Sequence, residues 1–234
     1  MNTKLSIIVP CYNEAENIPL ILEKFGAVIK RPDIEVILVD NNSGDDSQKV
    51  LAELLPKYKF ARSLFESDAG YGNAVLAGLR AANGEYIGRT HADMQTDPGD
   101  AIKGLEIIEK AGNPQNIYVK GSRRGRPLLN TFFTLGMSIF ESLYFGRILN
   151  EINAQPNIFH RSFFDSWQDP PGDFSLDLYV LYTAKIKKLD IVRFPVFFPK
   201  RLHGASSWDT GLASKWKFIK RTVNFSVVLK EKLK

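Results

Sequence analysis

Two short runs, KLSIIVP at residues 4–10 and IEVILVD at 34–40, limit this chain more than anything else in it. Each is apolar at nearly consecutive positions, rich in β-branched residues, and ends in a polar, turn-forming segment. A strand with one wet face alternates, whereas a continuous apolar run is buried on both faces, as in parallel sheets covered by helices. Between them, ENIPLILEKFGAVI places Ile18, Ile21, Leu22, Phe25 and Ile29 at helical spacing, with Pro19 tolerated in the first turn. Strand, helix and strand within about forty residues make a βαβ unit.

The pattern recurs. DSQKVLAELLPKY reads as a helix, FARSLFE as a strand, YGNAVLAGLRAANG as a helix closed by Gly84, and EYIGR as a strand. GDAIKGLEIIEKAG and NIYVKGS follow as helix and strand. Residues 1 to about 122 thus form an open, mostly parallel α/β sheet with helices on both faces. Ligands of such sheets bind outside the carboxyl ends of the strands. Here those ends read PCYNE, DNNSGDD, ESDAGYGN and THADMQTD, all polar and all acidic.

The second half differs. Residues 128–146 are strongly apolar with Glu141 as their one charge, close to the roughly 20 residues that cross a bilayer. Asn130, Thr131, Thr134, Ser138, Glu141 and Ser142 recur at helical spacings, however, which favours a buried or interfacial amphipathic helix. DFSLDLYVLYTAKIKK is a further helix, DIVRFPVFFPKR a strand, and GLASKWKFIKRTVNFSVVLKEKLK a basic closing helix. On that helix Leu212, Trp216, Ile219, Val223 and Val227 form one apolar stripe. The last twenty residues hold Lys215, Lys217, Lys220, Arg221, Lys230, Lys232 and Lys234 against Glu231, a surplus that exceeds the net +5 of the whole chain. Charge confined to a tail does not suit nucleic-acid binding, which needs a basic surface and a recognisable module. Contact with an anionic membrane surface suits it better. The single cysteine, Cys11, excludes an internal disulfide framework, and the opening MNTKLSIIVPCYNE reads as a strand rather than a signal peptide. Together these features place the chain in the cytoplasm, with peripheral contact at the inner membrane face.

A pocket rimmed by acids suggests a bound cation, with an anionic ligand bridged by it. Asp93 and Gln95 put two oxygen-bearing side chains on the same side of an extended segment. Asp97, directly before Pro98, is positioned to cap the helix that starts there, a role Asp93 is too far upstream to fill. GYGNAVLAG is a weak phosphate-loop signal on its own. Its small residues Ala74, Ala77, Gly78 and Ala81 also permit close packing of the helix on the sheet.

The segments SIIVPCYNEAENI, ILVDNNSGDDS, GYGNAVLAGLRAANGEYIGRTHADMQTDP and GSRRGR, in this order and spacing, resemble the nucleotide-sugar half of family 2 glycosyltransferases with the GT-A fold. The resemblance is nearest to the polyprenyl-phosphate branch, such as dolichol-phosphate mannose or glucose synthases. It is strong to about residue 125 and looser beyond, where DFSLDLY and RLHGASS look like acceptor-side motifs. It implies one GT-A domain over residues 1–234, with a nucleotide-sugar half (1–122), an acceptor-side half (123–211) and the basic helix (212–234). It implies that Pro10, Tyr12 and Glu14 line the nucleotide pocket, and that Asp40 and Asn41 contact base and ribose. The family usually has a second Asp where this chain has Asn41. His91-Ala92-Asp93 occupies the place of the metal-binding Asp-x-Asp, Gln95 that of a further ligand, and Asn73 and Arg123 are substrate-binding positions. Arg201 matches a basic residue that meets the diphosphate, where a guanidinium offers two parallel hydrogen bonds.

The activity so implied is inverting, metal-dependent transfer, using Mg²⁺ or Mn²⁺, from a nucleoside-diphosphate sugar to a polyprenyl phosphate or a glycan hydroxyl. A hydroxyl acceptor needs a carboxylate base, for which Asp177 is the candidate and Asp173 the helix cap; a phosphate acceptor is already ionised. Three alternatives stand beside this: a soluble glycosyltransferase of polysaccharide or lipopolysaccharide synthesis, a nucleotidyltransferase, and a non-catalytic nucleotide-sugar-binding protein. The second would open on a glycine-rich basic loop, unlike PCYNEAEN, while His91 and Asn41 keep the third open.

Overall fold

The computed structural model of the chain describes residues 2–125, 128–199 and 212–232. Its strands are β1 (Leu5–Cys11), β2 (Ile34–Asp40), β3 (Ala61–Phe65), β4 (Tyr86–Arg89), β5 (Ile117–Arg124), β6 (Asn157–His160) and β7 (Asp190–Phe197). Its α-helices are α1 (Ile18–Val28), α2 (Ser47–Leu54), α3 (Tyr71–Ala81), α4 (Pro98–Glu109), α5 (Leu128–Phe145), α6 (Arg161–Asp165), α7 (Leu176–Ile186) and α8 (Leu212–Lys232). The strands form one sheet in the order β3-β2-β1-β4-β6-β5-β7. β6 runs antiparallel to β4 and β5, and every other pair is parallel.

The continuous apolar runs are buried on both faces, as expected of a covered parallel sheet. Ile7, Val9, Val36 and Leu38 face a core built with α1, Leu51 of α2, and α4. Ile8, Ile37, Val39 and Ile87 face the other, built with α3 and α7. β6 is absent from the sequence reading. Its four residues NIFH carry too little pattern to mark a strand, and only pairing with β4 and β5 makes them one.

Gly84 is a correction. α3 already ends at Ala81, and Ala82 leaves it in an extended conformation, so Gly84 does not close the helix. It lets two backbones touch: a Cβ there would lie 2.6 Å from the Ser6 amide nitrogen and 2.5 Å from the Tyr86 carbonyl oxygen.

Along its described side chains α5 buries Phe145 in the core but also turns polar groups inward. Ser138 and Glu141 are buried, while Leu135, Ile139 and Leu143 are exposed, Leu143 by 79%. Both carboxylate oxygens of Glu141 accept from the Ser226 hydroxyl of α8, at 2.8 and 2.9 Å. α8 presents Ser226 and Leu229 inward, whereas Trp216 and Val227 of the expected apolar stripe are exposed. No helix among the described residues is long and apolar enough to cross a membrane.

Burial raises the Glu141 pKa to about 7, against the favourable Ser226 hydrogen bond. An acid raised in this way holds a proton in the native state that the unfolded chain has lost above about pH 4.3. Its contribution is therefore full at low pH and drains as pH rises towards 7. Glu141→Gln is expected to flatten thermal stability between pH 5 and 8 and to stabilise the protein at pH 8 by on the order of 2 kcal/mol. Melting curves at the two pH values check this.

Candidate active site

The carboxyl ends of β1, β2 and β4 meet over the middle of the sheet, and the loops that leave them are tied to one another. After β1, the Asn13 backbone N–H donates to Ser43 Oγ at 3.0 Å and the Glu14 N–H to Ser47 Oγ at 3.0 Å. Gly44 N–H returns a bond to Asn13 Oδ1 at 2.8 Å. Glu14 accepts from the Asn17 amide at 2.6 Å at the start of α1, and Pro10 sits half-buried on the strand. Tyr12 projects from this rim, 54% exposed.

Asp40, the last residue of β2, is 2% exposed, and neither of its carboxylate oxygens has a hydrogen-bond partner among the described residues. Buried carboxylates are ordinarily hydrogen-bonded, so this one has acceptor capacity that the described residues leave unused. Burial, then Glu14, Asp40 and Asp45, pushes the neighbouring Cys11 thiol up, leaving it an inert core group.

Asn41 does different work. Its Oδ1 accepts from Gly70 N–H at 2.8 Å and its Nδ2 donates to the Asp68 carbonyl at 3.0 Å, so both ends of the amide hold the loop after β3. An aspartate could not donate to that carbonyl, which is the physical reason an amide stands here. The same loop explains the glycines of GYGN. A Cβ on Gly72 would lie 2.5 Å from the Pro171 oxygen and 2.6 Å from the Asp173 nitrogen, and Asn73 N–H donates to the Gly172 carbonyl at 2.9 Å. The start of α3 is thus docked on the segment before α7. The Asn73 side chain also reaches the Asp68 carbonyl, at 3.3 Å.

The THADMQTDP loop is closed at its base by a buried Thr90–Thr96 hydroxyl pair at 2.8 Å. Ala92 and Met94 anchor in the core, Met94 with a left-handed φ of 61°, a conformation held only where the surroundings dictate it. His91 is half-buried beside them. Asp93 is 5% exposed and its Oδ1 accepts from Gln95 N–H at 3.1 Å. Gln95 Nε2 donates to the Pro199 carbonyl at 3.0 Å, leaving Oε1 as the acceptor of that amide. Asp97 caps α4 through Gly99 N–H at 2.8 Å, as its position before Pro98 predicts. Among the described residues no group of three His, Cys, Asp or Glu side chains converges as a metal cage. One carboxylate with an amide oxygen nevertheless fits a hard cation that draws most of its ligands from phosphate and water.

Below this loop lies a buried network that sequence reasoning missed. Arg89, the last residue of β4, is 2% exposed and ion-paired through Nη2 to Asp177 in the first turn of α7. Burial is the largest influence and disfavours the Arg89 charge, but Asp177 together with Tyr71 and Tyr118 outweighs it, and the net pKa shift is upward. Arg89 Nε and Nη1 have no hydrogen-bond partner among the described residues. Tyr71 accepts from Gln155 Nε2 at 3.2 Å; Gln155 accepts from Asn157 Nδ2 at 2.5 Å; and Lys120 Nζ donates to Asn157 Oδ1 at 2.8 Å. The available signal was a basic residue ending the otherwise apolar strand EYIGR.

Arg123 lies on β5, paired with Glu151 at 2.8 Å and set over the Phe198 ring, with Nη2 buried and unpartnered. Asp173, expected as the helix cap, is not: the N-cap of α7 is Ser175, and Asp173 instead accepts from Ser175 N–H at 2.8 Å in the turn ahead of the helix. Arg201 lies outside the described residues. The structure therefore brings Asp40, Asp93, Gln95, His91 and Tyr12 to one end of the sheet, and commits Asn41 and Asp177 to protein partners.

Comparison with known proteins bears on this arrangement. The family model described as Glycosyl transferase family 2 matches residues 6–168. An undecaprenyl-phosphate 4-deoxy-4-formamido-L-arabinose transferase of Photorhabdus laumondii is 33% identical over 125 residues, 52% of this chain and 37% of that protein. A dolichol-phosphate mannosyltransferase of Pyrococcus furiosus is 24% identical over 208 residues, 87% of this chain and 58% of that protein. The chain thus spans from about a third to under two thirds of the length of these relatives. Glucosyl-3-phosphoglycerate synthase from Mycobacterium tuberculosis, solved with Mn²⁺, UDP and glucosyl-3-phosphoglycerate, superposes with a TM-score of 0.73 over 97% of this chain and 79% of that one. At 15% identity that likeness establishes the fold, which is GT-A.

Asp177→Asn is expected to lower stability by about 3–5 kcal/mol because it strands a buried guanidinium. The double replacement Arg89→Met/Asp177→Leu should recover most of that loss. Chemical denaturation of the three variants measures it; equal losses in single and double variants would contradict the pairing.

Proposed function

Because the chain belongs to glycosyl transferase family 2, we propose that it transfers a sugar from a nucleoside diphosphate to a polyprenyl phosphate at the cytoplasmic face of a membrane. The observation that carries this reading is Asp40, a buried carboxylate at the end of β2 with both oxygens unpartnered. It is an acceptor-only group, suited to the hydroxyls of a ribose or the N–H of a base. Tyr12, exposed on the adjacent rim, offers a flat face against which a base can stack. Asp93 and Gln95, with His91 beside them, would hold a divalent cation. When bound, the cation offsets the charge that develops on the departing diphosphate. The solved neighbour's complex with Mn²⁺ and UDP supports that assignment.

In this mechanism an acceptor oxygen bonds to the anomeric carbon on the face opposite the diphosphate, whose bond to that carbon breaks, inverting the centre. Arg201 supplies a permanent positive charge to the leaving group, and Arg123 Nη2 offers a further donor. The choice of acceptor rests on Asp177. Its carboxylate is committed to Arg89 and buried, so it is poorly placed to take a proton from a sugar hydroxyl. A phosphate acceptor, ionised near neutral pH, needs no such base. The names of the two relatives, which refer to undecaprenyl and dolichol phosphate, support the same choice. The outward apolar face of α5 and the exposed Trp216 of the basic α8 support docking on an anionic leaflet.

A thermal-shift panel of nucleotide sugars with and without Mn²⁺, followed by transfer to a short polyprenyl phosphate, tests the proposal. Asp40→Asn should weaken donor binding about tenfold or more, and Asp93→Ala should reduce turnover at least a hundredfold while the fold is kept, a loss of roughly 2.7 kcal/mol in barrier stabilisation. Transfer to a sugar hydroxyl but not to the lipid phosphate would replace the acceptor. Donor binding without turnover under any metal would make this a binding protein. In flotation, the protein should rise with anionic vesicles at low salt and stay behind in high salt; failure to bind at low salt would overturn the membrane part.

A further inference from the structure

Four side chains from four parts of the chain form a continuous stack beneath the active-site loop. The Arg89 guanidinium lies 6.0 Å from the centre of the Tyr71 ring, at the start of α3. Tyr71 also stacks with Phe174, ring centres 4.9 Å apart and planes 7° from parallel. Phe174 belongs to the segment before α7 that the glycines of α3 admit so closely. The Arg221 guanidinium of α8 lies 5.4 Å from the Phe174 ring centre and pairs with Asp173 at 3.4 Å. Both members of that ion pair are about 40% exposed, so the pair alone contributes little. What sets Arg221 apart from the other basic residues of the tail is its place at the end of this stack.

The inner end bears on the reaction centre. Arg89 Nε and Nη1 have no hydrogen-bond partner among the described residues, so its position is set by Asp177 and by the Tyr71 ring. Tyr71 is in turn held by Gln155 at its hydroxyl and by Phe174 at its face. Arg89 directly precedes Thr90, whose hydroxyl closes the loop that carries Asp93. A shift at Phe174 therefore has a short, packed route to Asp93.

We propose that Arg221 is a positioning residue for the transfer step, acting through Phe174 and Tyr71 on the Arg89–Asp177 pair at the root of the Thr90–Thr96 loop. The inference rests on the sugar-transfer reading for its kinetic consequence and on packing alone for its structural one. α8 then has two tasks, surface contact through its outer face and alignment of the active-site loop through Arg221.

Amide hydrogen exchange on the full chain without membranes tests this. Arg221→Gln is expected to speed exchange about three- to tenfold both at residues 171–176 and in the loop 90–96, the equivalent of losing one cation–π contact. Lys220→Gln removes the same charge from the same helix and should leave both segments at parent rates. Arg221→Lys keeps a cation over the ring and should restore much of the protection. Phe174→Leu should reproduce the Arg221→Gln pattern, and the double variant should add little to either. In turnover, Arg221→Gln should lower kcat by a similar factor with donor KM within about twofold. Faster exchange confined to 171–176, an equal effect of Lys220→Gln, or additive single variants would each overturn the proposal. Should the protein transfer no sugar at all, the exchange result still decides the positioning role while the functional reading fails.

Discussion

A guanidinium buried at the end of a central strand requires a counter-charge, because an uncompensated charge in the interior costs several kcal/mol. Arg89 finds its partner in Asp177, 88 residues further along the chain. That pair joins the parallel half of the sheet to α7, a helix packed on one of its faces. Around it the remaining polar groups of the interior fall into line: Tyr71 with Gln155, Gln155 with Asn157, and Asn157 with Lys120. The close approach of α3 to the segment before α7, made possible by Gly72, follows from the same closure. The loop that carries Asp93 starts at Thr90, directly after the strand member of this charge pair.

This closure sorts acids that look alike in the sequence. Asp97 caps a helix, Asp177 neutralises Arg89, Asp93 sits in a loop held by core anchors, and Asp40 is buried with no partner. Of these, Asp40 keeps both oxygens unpartnered among the described residues, while Asp93 is held in the loop that follows β4. Asn41 shows the reverse case. The residue by which this chain departs from the usual acidic pair turns out to hold the neighbouring loop, and the departure is explained by an amide's ability to donate as well as accept.

The second organising constraint is the pair of polar groups that α5 turns inward. A helix of a soluble domain normally buries its apolar stripe. Here Glu141 and Ser138 turn inward, and Leu135, Ile139 and Leu143 turn out. α8 accepts the polar face with Ser226 and leaves Trp216 and Val227 exposed. The two helices together give one side of the molecule an apolar surface next to basic charge, the combination an anionic leaflet recruits.

Much of this protein was legible in its residues. Continuous β-branched runs and the helical spacing between them marked a covered, mostly parallel sheet whose acidic strand ends gather at its carboxyl edge, and Pro98 marked Asp97 as a cap. Local periodicity carries that information because it reports which positions share a face. It does not report which face meets the interior, so α5 could be read as amphipathic but not as turning polar groups inward. Nor does it carry pairing between distant segments: the short antiparallel β6, the Arg89–Asp177 pair and the stack from Arg221 to Arg89 exist only once the chain has closed on itself. The sequence determined the class of fold and the edge where chemistry belongs. The tertiary structure decided which acids are committed to a helix cap or a counter-charge, because a carboxylate's role depends on the partner that folding brings to it.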